Sequence, residues 1–111
     1  MIIRQWRADA LPSDEAEYVR HFHDEVIPYL QAVPGFLEVS LARREMGGRI
    51  ELLVMTKWES LEAVRTFAGS DASRAVVKDG AKAALAFHDE HADLYEIVAS
   101  DVVRGAALER R

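Results

Sequence analysis

The segment from Arg49 to Trp58 constrains the fold most strongly, because it has the composition of a β-strand with apolar side chains on both faces. Successive side chains of a strand point to opposite faces of the sheet. The segment therefore places Leu53 and Met55 on one face, beside Glu51 and Lys57, and the other face carries Ile50, Leu52, Val54 and Trp58. A strand of this kind belongs in a sheet that is covered on both sides.

Glycine and proline divide the rest of the chain into further strands and helices. Val33-Pro34-Gly35 ends a predicted first helix over 14–32, and Met46-Gly47-Gly48 predicts a hairpin turn. Further strands are predicted over 1–8, 36–45 and 92–99. Further helices are predicted over 61–68, from about Asp71 to a break near Asp79-Gly80, and over 81–90. The order β-α-β-β-α-β is that of an α+β, ferredoxin-like fold with an antiparallel sheet. We assign this domain to residues 1–99 and a C-terminal tail to residues 100–111.

The helices of such a fold cover only one face of the sheet. A second copy of the same sheet is the simplest cover for the other face, which predicts a symmetric homodimer. The alternative is a monomer in which the tail folds over part of that face.

Composition excludes several classes of function. The formal net charge is −5, and the basic residues are scattered, which argues against nucleic-acid binding. The chain has no cysteine, which excludes disulfides and thiolate chemistry and fits a reducing cytoplasm. No apolar run is long enough to span a membrane, and the N-terminal residues lack the apolar core of a signal peptide. We therefore expect a cytoplasmic protein with no membrane partner.

Helix geometry predicts which histidines face the core and which face solvent. In a regular α-helix with Val26 and Leu30 on its apolar stripe, His23 falls inside the stripe and His21 on the solvent side. His23 is then either a catalytic base or a core-edge histidine satisfied by a backbone group. The pair His88 and His91 has the spacing of a shared helix face, but a solvated helix end is the preferred interpretation, so no metal site is predicted.

Arg4 and the aromatic residues are the other candidates. A charge on a central strand must be paired or point into a pocket, so Arg4 either stabilises an anion or forms an ion pair with Glu38, Glu51 or Glu96. Trp6 and Trp58 either stack on a planar ligand or belong to the core. An apolar cavity for a flat, oxygenated molecule is expected to be walled by Tyr18, Phe22, Tyr29, Met55, Phe67 and Phe87.

Five stretches carry a resemblance to the antibiotic biosynthesis monooxygenase family. They are Ile3-Arg4-Gln5-Trp6, Val33-Pro34-Gly35-Phe36, the run from Leu53 to Val64, Phe67-Ala68-Gly69 and Tyr95-Glu96-Ile97-Val98. The resemblance implies a homodimer in which two sheets form an α/β barrel, with a cavity between each sheet and its own helices. It is specific for the fold and weak for the reaction.

The resemblance also implies an activity. Members of the family oxygenate polycyclic phenols, anthrones or quinols, often without metal, flavin or haem, so no cofactor is expected. The protein would help to deprotonate a small aromatic substrate, whose anion then reacts with O₂. Suitable parts are His23 as the base, Arg4 as the cation, and a substrate-binding wall made of Trp6, Phe22, Met55, Trp58 and Phe67.

Two alternatives are kept beside this hypothesis. One is a non-catalytic or stress-responsive barrel that binds a small apolar ligand, because the same fold serves both roles. The other is the haem-degrading branch of the superfamily, whose Trp position is Phe67 here and whose His position falls near Val77. Valine cannot ligate iron, so this second alternative is a minor one.

Overall fold

The structure is a computed structural model that describes residues 1–101 of the chain. It is an α+β fold with a five-stranded antiparallel sheet. Most of the predicted tail, residues 102–111, lies outside the described residues. The strands are β1 (Ile2–Ala10), β2 (Phe36–Met46), β3 (Arg49–Trp58), β4 (Phe87–His88) and β5 (Asp93–Glu96), and the helices are α1 (Glu15–His21), α2 (Ile27–Gln31), α3 (Leu61–Ala68) and α4 (Asp79–Ala84).

The sheet has the order β2-β3-β1, with β4 and β5 both pairing along the free edge of β1. The two central strands pair over their whole length, from Ile2 opposite Trp58 to Ala10 opposite Ile50. Because paired residues share a face, the even-numbered positions of both strands turn toward the helices. This arrangement confirms the predicted ferredoxin-like fold.

Of the two central strands, β3 is apolar on two faces, as the sequence predicts, whereas the outward face of β1 is mostly polar, with Ile3 followed by Gln5, Arg7 and Asp9. One detail of β2 differs, because a bulge between Phe36 and Glu38 shifts the register against β3. Phe36 therefore joins Val39 on the helix-covered face and packs its ring 5.5 Å from that of Trp58. Leu37, which regular strand alternation would place on the same face as Val39, is 42% exposed instead. A bulge adds one residue to a strand and so reverses the alternation before it.

The predicted first helix is continuous but not regular. Between α1 and α2 the residues Phe22–Val26 form a π-helical turn, in which the N–H of Ile27 bonds to the carbonyl of Phe22. Pro28 follows directly, at the start of α2. Proline has no N–H and its ring crowds the carbonyl four residues earlier, which is a common cause of such an irregularity. The π turn adds one residue to the helix and rotates α1 by about 100° relative to α2.

The second half of the chain contains less helix than predicted. The side chain of Ser60 caps α3 by accepting a hydrogen bond from the N–H of Ala63, and the helix ends at Gly69, whose φ is +95°. The prediction of a helix from about Asp71 to Asp79 is wrong, because residues 71–78 form a turn and an isolated bridge between Arg74 and His91. The prediction of a helix over 81–90 is wrong beyond Ala84, because Phe87 and His88 form β4 against Ala8 and Asp9. Within residues 1–101, no helix has both the length and the apolar character needed to span a membrane.

Candidate functional site

An apolar cavity lies between the helix-covered face of the sheet, the first helix and the segment that leads into α4. Its volume is about 50 Å³. That is enough for a few water molecules and well below the roughly 300 Å³ of a typical ligand site. The lining residues are Arg4, Trp6, Tyr18, His21, Val26, Tyr29, Leu30, Val54, Thr56, Phe67, Val76, Val77, Lys78 and Ala81.

Arg4 is the charged group on the floor of the cavity. It is only 5% exposed, and none of the predicted ion pairs with Glu38, Glu51 or Glu96 forms. Its guanidinium donates instead to the backbone carbonyls of Ala72, at 3.1 Å, and Arg74. Burial lowers the pKa of Arg4 to about 10, against a smaller raising effect of the Asp71 carboxylate. Arg4 therefore remains a cation at neutral pH.

The charged side chains that line the cavity are basic. Among the described residues that line it, none is Asp or Glu, while Arg4 and Lys78 both carry positive charge. The ammonium of Lys78 lies 3.9 Å from the centre of the Tyr29 ring, at the outer edge of the cavity. The chain as a whole has a formal net charge of −5, so the lining of the cavity is more basic than the chain as a whole.

Aromatic rings form much of the wall. Trp6 lines the cavity and donates its indole N–H to the carbonyl of Asp89 at 2.7 Å. Phe67 packs 5.9 Å from Tyr29 and lies beneath the Arg4 guanidinium, 5.4 Å from its carbon. The structure therefore brings together three of the predicted site residues, Arg4, Trp6 and Phe67.

Two titratable residues of α1 face the same cavity. Tyr18 is 2% exposed, and burial raises its pKa to about 12, so the phenol keeps its proton at neutral pH. His21 is also 2% exposed and packs its ring 6.1 Å from that of Tyr18.

The placement of the two neighbouring histidines was predicted the wrong way round. His21 is buried in the cavity wall, whereas His23 is exposed and borders a separate groove between the first helix and β2. The prediction assumed regular α-helical geometry through Val26, and the π turn moves every residue before it by one position. Pro28 is the signal in the sequence that could have indicated this shift.

Four other predicted residues lie away from the cavity. Trp58 is completely buried in the core, where its indole N–H donates to the Thr56 hydroxyl at 2.8 Å and its ring lies 5.3 Å from that of Phe67. Met55 is on the opposite face of β3 from Val54 and Thr56. Phe22 packs in the core, beside the groove between the first helix and β2 that His23 borders. Phe87 lies on β4 rather than on a helix and is 55% exposed.

His88 and His91 do not form a shared site. The ring nitrogen Nδ1 of His88 is 3.2 Å from the carbonyl of Asp89, and Nε2 of His91 is 3.8 Å from a carboxylate oxygen of Asp71. In the part of the chain that the structure describes, no three metal-binding side chains converge.

One family model matches most of the chain. The family described as antibiotic biosynthesis monooxygenase matches residues 1–79. Among solved structures, a protein of that description from Bacillus cereus is 22% identical, with a TM-score of 0.66, over 93% of this chain and 96% of the other. No curated protein sequence gives a significant match.

Two further structures have different ligands. A monooxygenase from the gene ActVA-Orf6 of Streptomyces coelicolor, in complex with nanaomycin D, is 18% identical with a TM-score of 0.61, over 92% of this chain and 91% of the other. A mutant of MhuD with two manganese protoporphyrin IX molecules per active site is 19% identical with a TM-score of 0.60, over 93% of this chain and 100% of the other. At sequence identities this low, the similarity to these structures shows a shared fold and nothing beyond it.

Proposed function

The chain belongs to the antibiotic biosynthesis monooxygenase family, and from this premise we propose that it is a cofactor-independent monooxygenase of an aromatic small molecule. The substrate class is an aromatic polyketide, an anthrone or a quinol. A relative in fold, the Streptomyces coelicolor monooxygenase, binds nanaomycin D, which is consistent with a ligand of this kind. The proposed location is the cytoplasm.

The observation that carries the proposal is a buried cation in an apolar, aromatic cavity. Arg4 is 5% exposed, and no carboxylate among the described residues lines the space around it. Burying a charge is costly unless it is paired, so a site that keeps an arginine in this setting is suited to a ligand with negative charge. A phenolate or enolate supplies that charge and fits between aromatic walls.

The chemistry then follows from charge stabilisation. Loss of a proton from the substrate gives an electron-rich anion, which Arg4 stabilises in a site that excludes bulk water. The anion reduces O₂, one oxygen atom forms a new bond to a ring carbon, and the other leaves as water. For an anthrone the balance is CH₂ plus O₂ giving C=O plus H₂O.

A tricyclic molecule is too large for a cavity of about 50 Å³, so binding requires one wall to move. Residues 70–78 form the wall with the least regular structure, because they contain neither helix nor extended strand. Arg4 holds this segment through the carbonyls of Ala72 and Arg74. We propose that the segment shifts when the substrate enters, and that the anion then competes for the Arg4 guanidinium.

We also propose that the protein acts as a homodimer. The face of the sheet away from the helices carries Ile3, Leu53, Met55 and Tyr95, of which Tyr95 is 55% exposed. The same face also carries Gln5, Arg7 and Lys57, so the apolar residues form a patch with a polar surround. Such a patch gains stability when a second copy covers it.

The test is oxygen uptake by the purified protein with a panel of anthrones and hydroquinones and no added cofactor. We expect uptake above the protein-free rate. Arg4→Met is expected to lower kcat/KM by about 10² to 10³, because it removes the group that stabilises the anion. Arg65→Met is the matched control, since Arg65 is an exposed arginine of α3 that does not line the cavity, and it should retain activity.

Either of two results would contradict the proposal. Tight binding of a panel member without uptake would favour a non-catalytic ligand-binding barrel. Equal activity of Arg4→Met and Arg65→Met would show that catalysis does not depend on the cation in the cavity.

A further inference from the structure

We propose that His21 is the catalytic base of this site and that it takes the substrate proton on its Nε2 atom. The inference rests on the proposed function, because it names the proton acceptor for the anion that Arg4 stabilises. It replaces His23, which borders a different groove and is exposed.

The first reason is an unpaired polar atom in a buried place. His21 is 2% exposed, and its Nε2 is the one buried side-chain nitrogen or oxygen of residues 1–101 without a hydrogen-bond partner. Buried polar groups are nearly always paired, because an unpaired one costs about 1 to 3 kcal/mol. Because His21 lines the cavity, the partner that we expect for Nε2 is a hydroxyl group of a bound ligand.

The second reason is the carboxylate on the other side of the ring. Oε2 of Glu25 lies 3.4 Å from Nδ1 of His21, one turn farther along the helix. A carboxylate beside Nδ1 favours the tautomer with the proton on that atom, which gives Nε2 the free lone pair that a base requires. The same carboxylate also stabilises the imidazolium that forms when Nε2 accepts a proton. Glu25 acts through His21 and is therefore a positioning residue.

The third reason is that the backbone on both sides makes room for the ring. The π turn that begins at Phe22 rotates His21 from the solvent side into the cavity wall. On the opposite side, a Cβ atom at position 80 would lie 2.9 Å from Nδ1 and 3.1 Å from Cε1 of His21, so the backbone of α4 covers the ring only because residue 80 is glycine. The first helix and α4 therefore both have a backbone feature that accommodates the His21 ring.

Other groups in the cavity are less suited to accept a proton. Burial raises the pKa of Tyr18 to about 12, so it is a proton donor at neutral pH. Arg4 is a cation. Lys78 lies at the outer edge with its ammonium over Tyr29.

The proposed step is a simple proton transfer. The substrate O–H or acidic C–H bond breaks, its electron pair remains on the substrate as a phenolate or enolate, and the proton forms an N–H bond with Nε2. Neutral histidine becomes imidazolium next to Glu25, and no oxidant takes part until O₂ arrives. The step can therefore be observed without oxygen.

The experiment uses dithranol, an anthrone whose anion absorbs at a longer wavelength than its neutral form, bound to the full-length protein at neutral pH under anaerobic conditions. We expect the wild type to show the anion band. His21→Gln removes the base but keeps a polar side chain of similar size, and it should bind dithranol with an anion fraction at least tenfold lower. His23→Gln is the matched control and should equal the wild type.

A second variant distinguishes loss of the base from misfolding of the His21→Gln protein. Glu25→Gln changes a side chain that is 59% exposed and should fold normally, and we expect a several-fold smaller anion band because the imidazolium loses its carboxylate. An anion band of wild-type size in both His21→Gln and Glu25→Gln would overturn the inference, as would its loss in His23→Gln.

Oxygen uptake separates this inference from the proposed function. If the anion band depends on His21 but the protein consumes no O₂, the monooxygenase function fails and the base assignment stands. If the protein consumes O₂ equally well with His21→Gln, the function stands and the base assignment fails. If the wild type does not bind dithranol or any other anthrone or quinol, both fail.

Discussion

Burial against the cavity changes the acid–base behaviour of two side chains in ways that bear on stability. For Tyr18 the neutral form is favoured in the folded state, and its pKa is raised to about 12. For Arg4 the neutral form is also favoured, and its pKa is lowered to about 10. The effects on stability above pH 10 are opposite, because the folded state holds more protons than the unfolded state at Tyr18 and fewer at Arg4.

Replacing Tyr18 with phenylalanine isolates one of these effects. Between pH 10 and 12 the unfolded tyrosine ionises while the native one does not, so the wild type should lose stability relative to Tyr18→Phe. The expected loss is about 1 kcal/mol at pH 11, since one pKa unit corresponds to roughly 1.4 kcal/mol. Urea unfolding of both proteins at pH 7, 9 and 11 measures it.

Between pH 7 and 9 tyrosine is protonated in both states, so the difference between the two proteins should stay constant there. A constant difference up to pH 11 would mean that Tyr18 titrates as a solvent-exposed tyrosine, and the buried site would be wrong.

Single positions in the cavity were predictable only in part. Arg4 and Trp6 could be placed from strand alternation alone, because β1 is regular and its even-numbered side chains all turn inward. The histidines could not, because their placement depends on the helix phase, which one additional residue in the π turn changes. For Trp58 the strand alternation predicts the correct face of the sheet. It does not predict that the rings of Phe36 and Phe67 pack on the indole and bury it in the core.

Among the elements, the junction between the first helix and β2 depends most strongly on one residue. Gly35 has a φ of +87°, and a Cβ atom there would lie 2.5 Å from the Cβ of Ala63 in α3. The junction therefore needs glycine both for its backbone conformation and for the close approach of α3.

A pair of substitutions separates these two requirements. Gly48, in the hairpin turn, has a similar φ of +81° but nothing within 4 Å of the position of a Cβ atom. We expect Gly48→Ala to lower the free energy of unfolding by about 1 kcal/mol through backbone strain alone. Gly35→Ala should lower it by about 3 kcal/mol, because the clash with Ala63 is added. Equal losses in urea unfolding would show that α3 does not pack on Gly35.

The elements themselves were predictable where one local rule determines them. The glycine-containing turns and the two-residue period of β1 and β3 gave the order of the first three strands. The region from Asp71 to Glu90 was not predictable, because it contains alanine-rich sequence that favours helix, while pairing with β1 draws Phe87 and His88 into a strand. Long-range pairing of this kind overrides local helix propensity and is not visible in a short window of sequence.

At the scale of the whole molecule, the uncovered sheet face predicts the oligomeric state. Leu53 is central on that face, opposite Arg7 of β1 and Ala42 of β2. A glutamate there would place a charge in the proposed dimer interface, so Leu53→Glu should shift the protein from dimer to monomer in sedimentation equilibrium.

Ala83→Glu is the control for this prediction. It adds the same charge at an exposed position of α4, on the helix side of the sheet, and should leave the dimer intact. A wild-type protein that sediments as a monomer would contradict the proposed dimer, and so would a Leu53→Glu variant that remains dimeric.

The proposed reaction inserts one atom of O₂ into an aromatic substrate without a cofactor. The most direct test supplies isotopically labelled O₂ to metal-free protein and an anthrone and weighs the quinone product by mass spectrometry. We predict one labelled oxygen atom in each product molecule, formed faster than without protein and much more slowly with Arg4→Met. Unlabelled product, or labelled product formed equally fast without the protein, would contradict the claim.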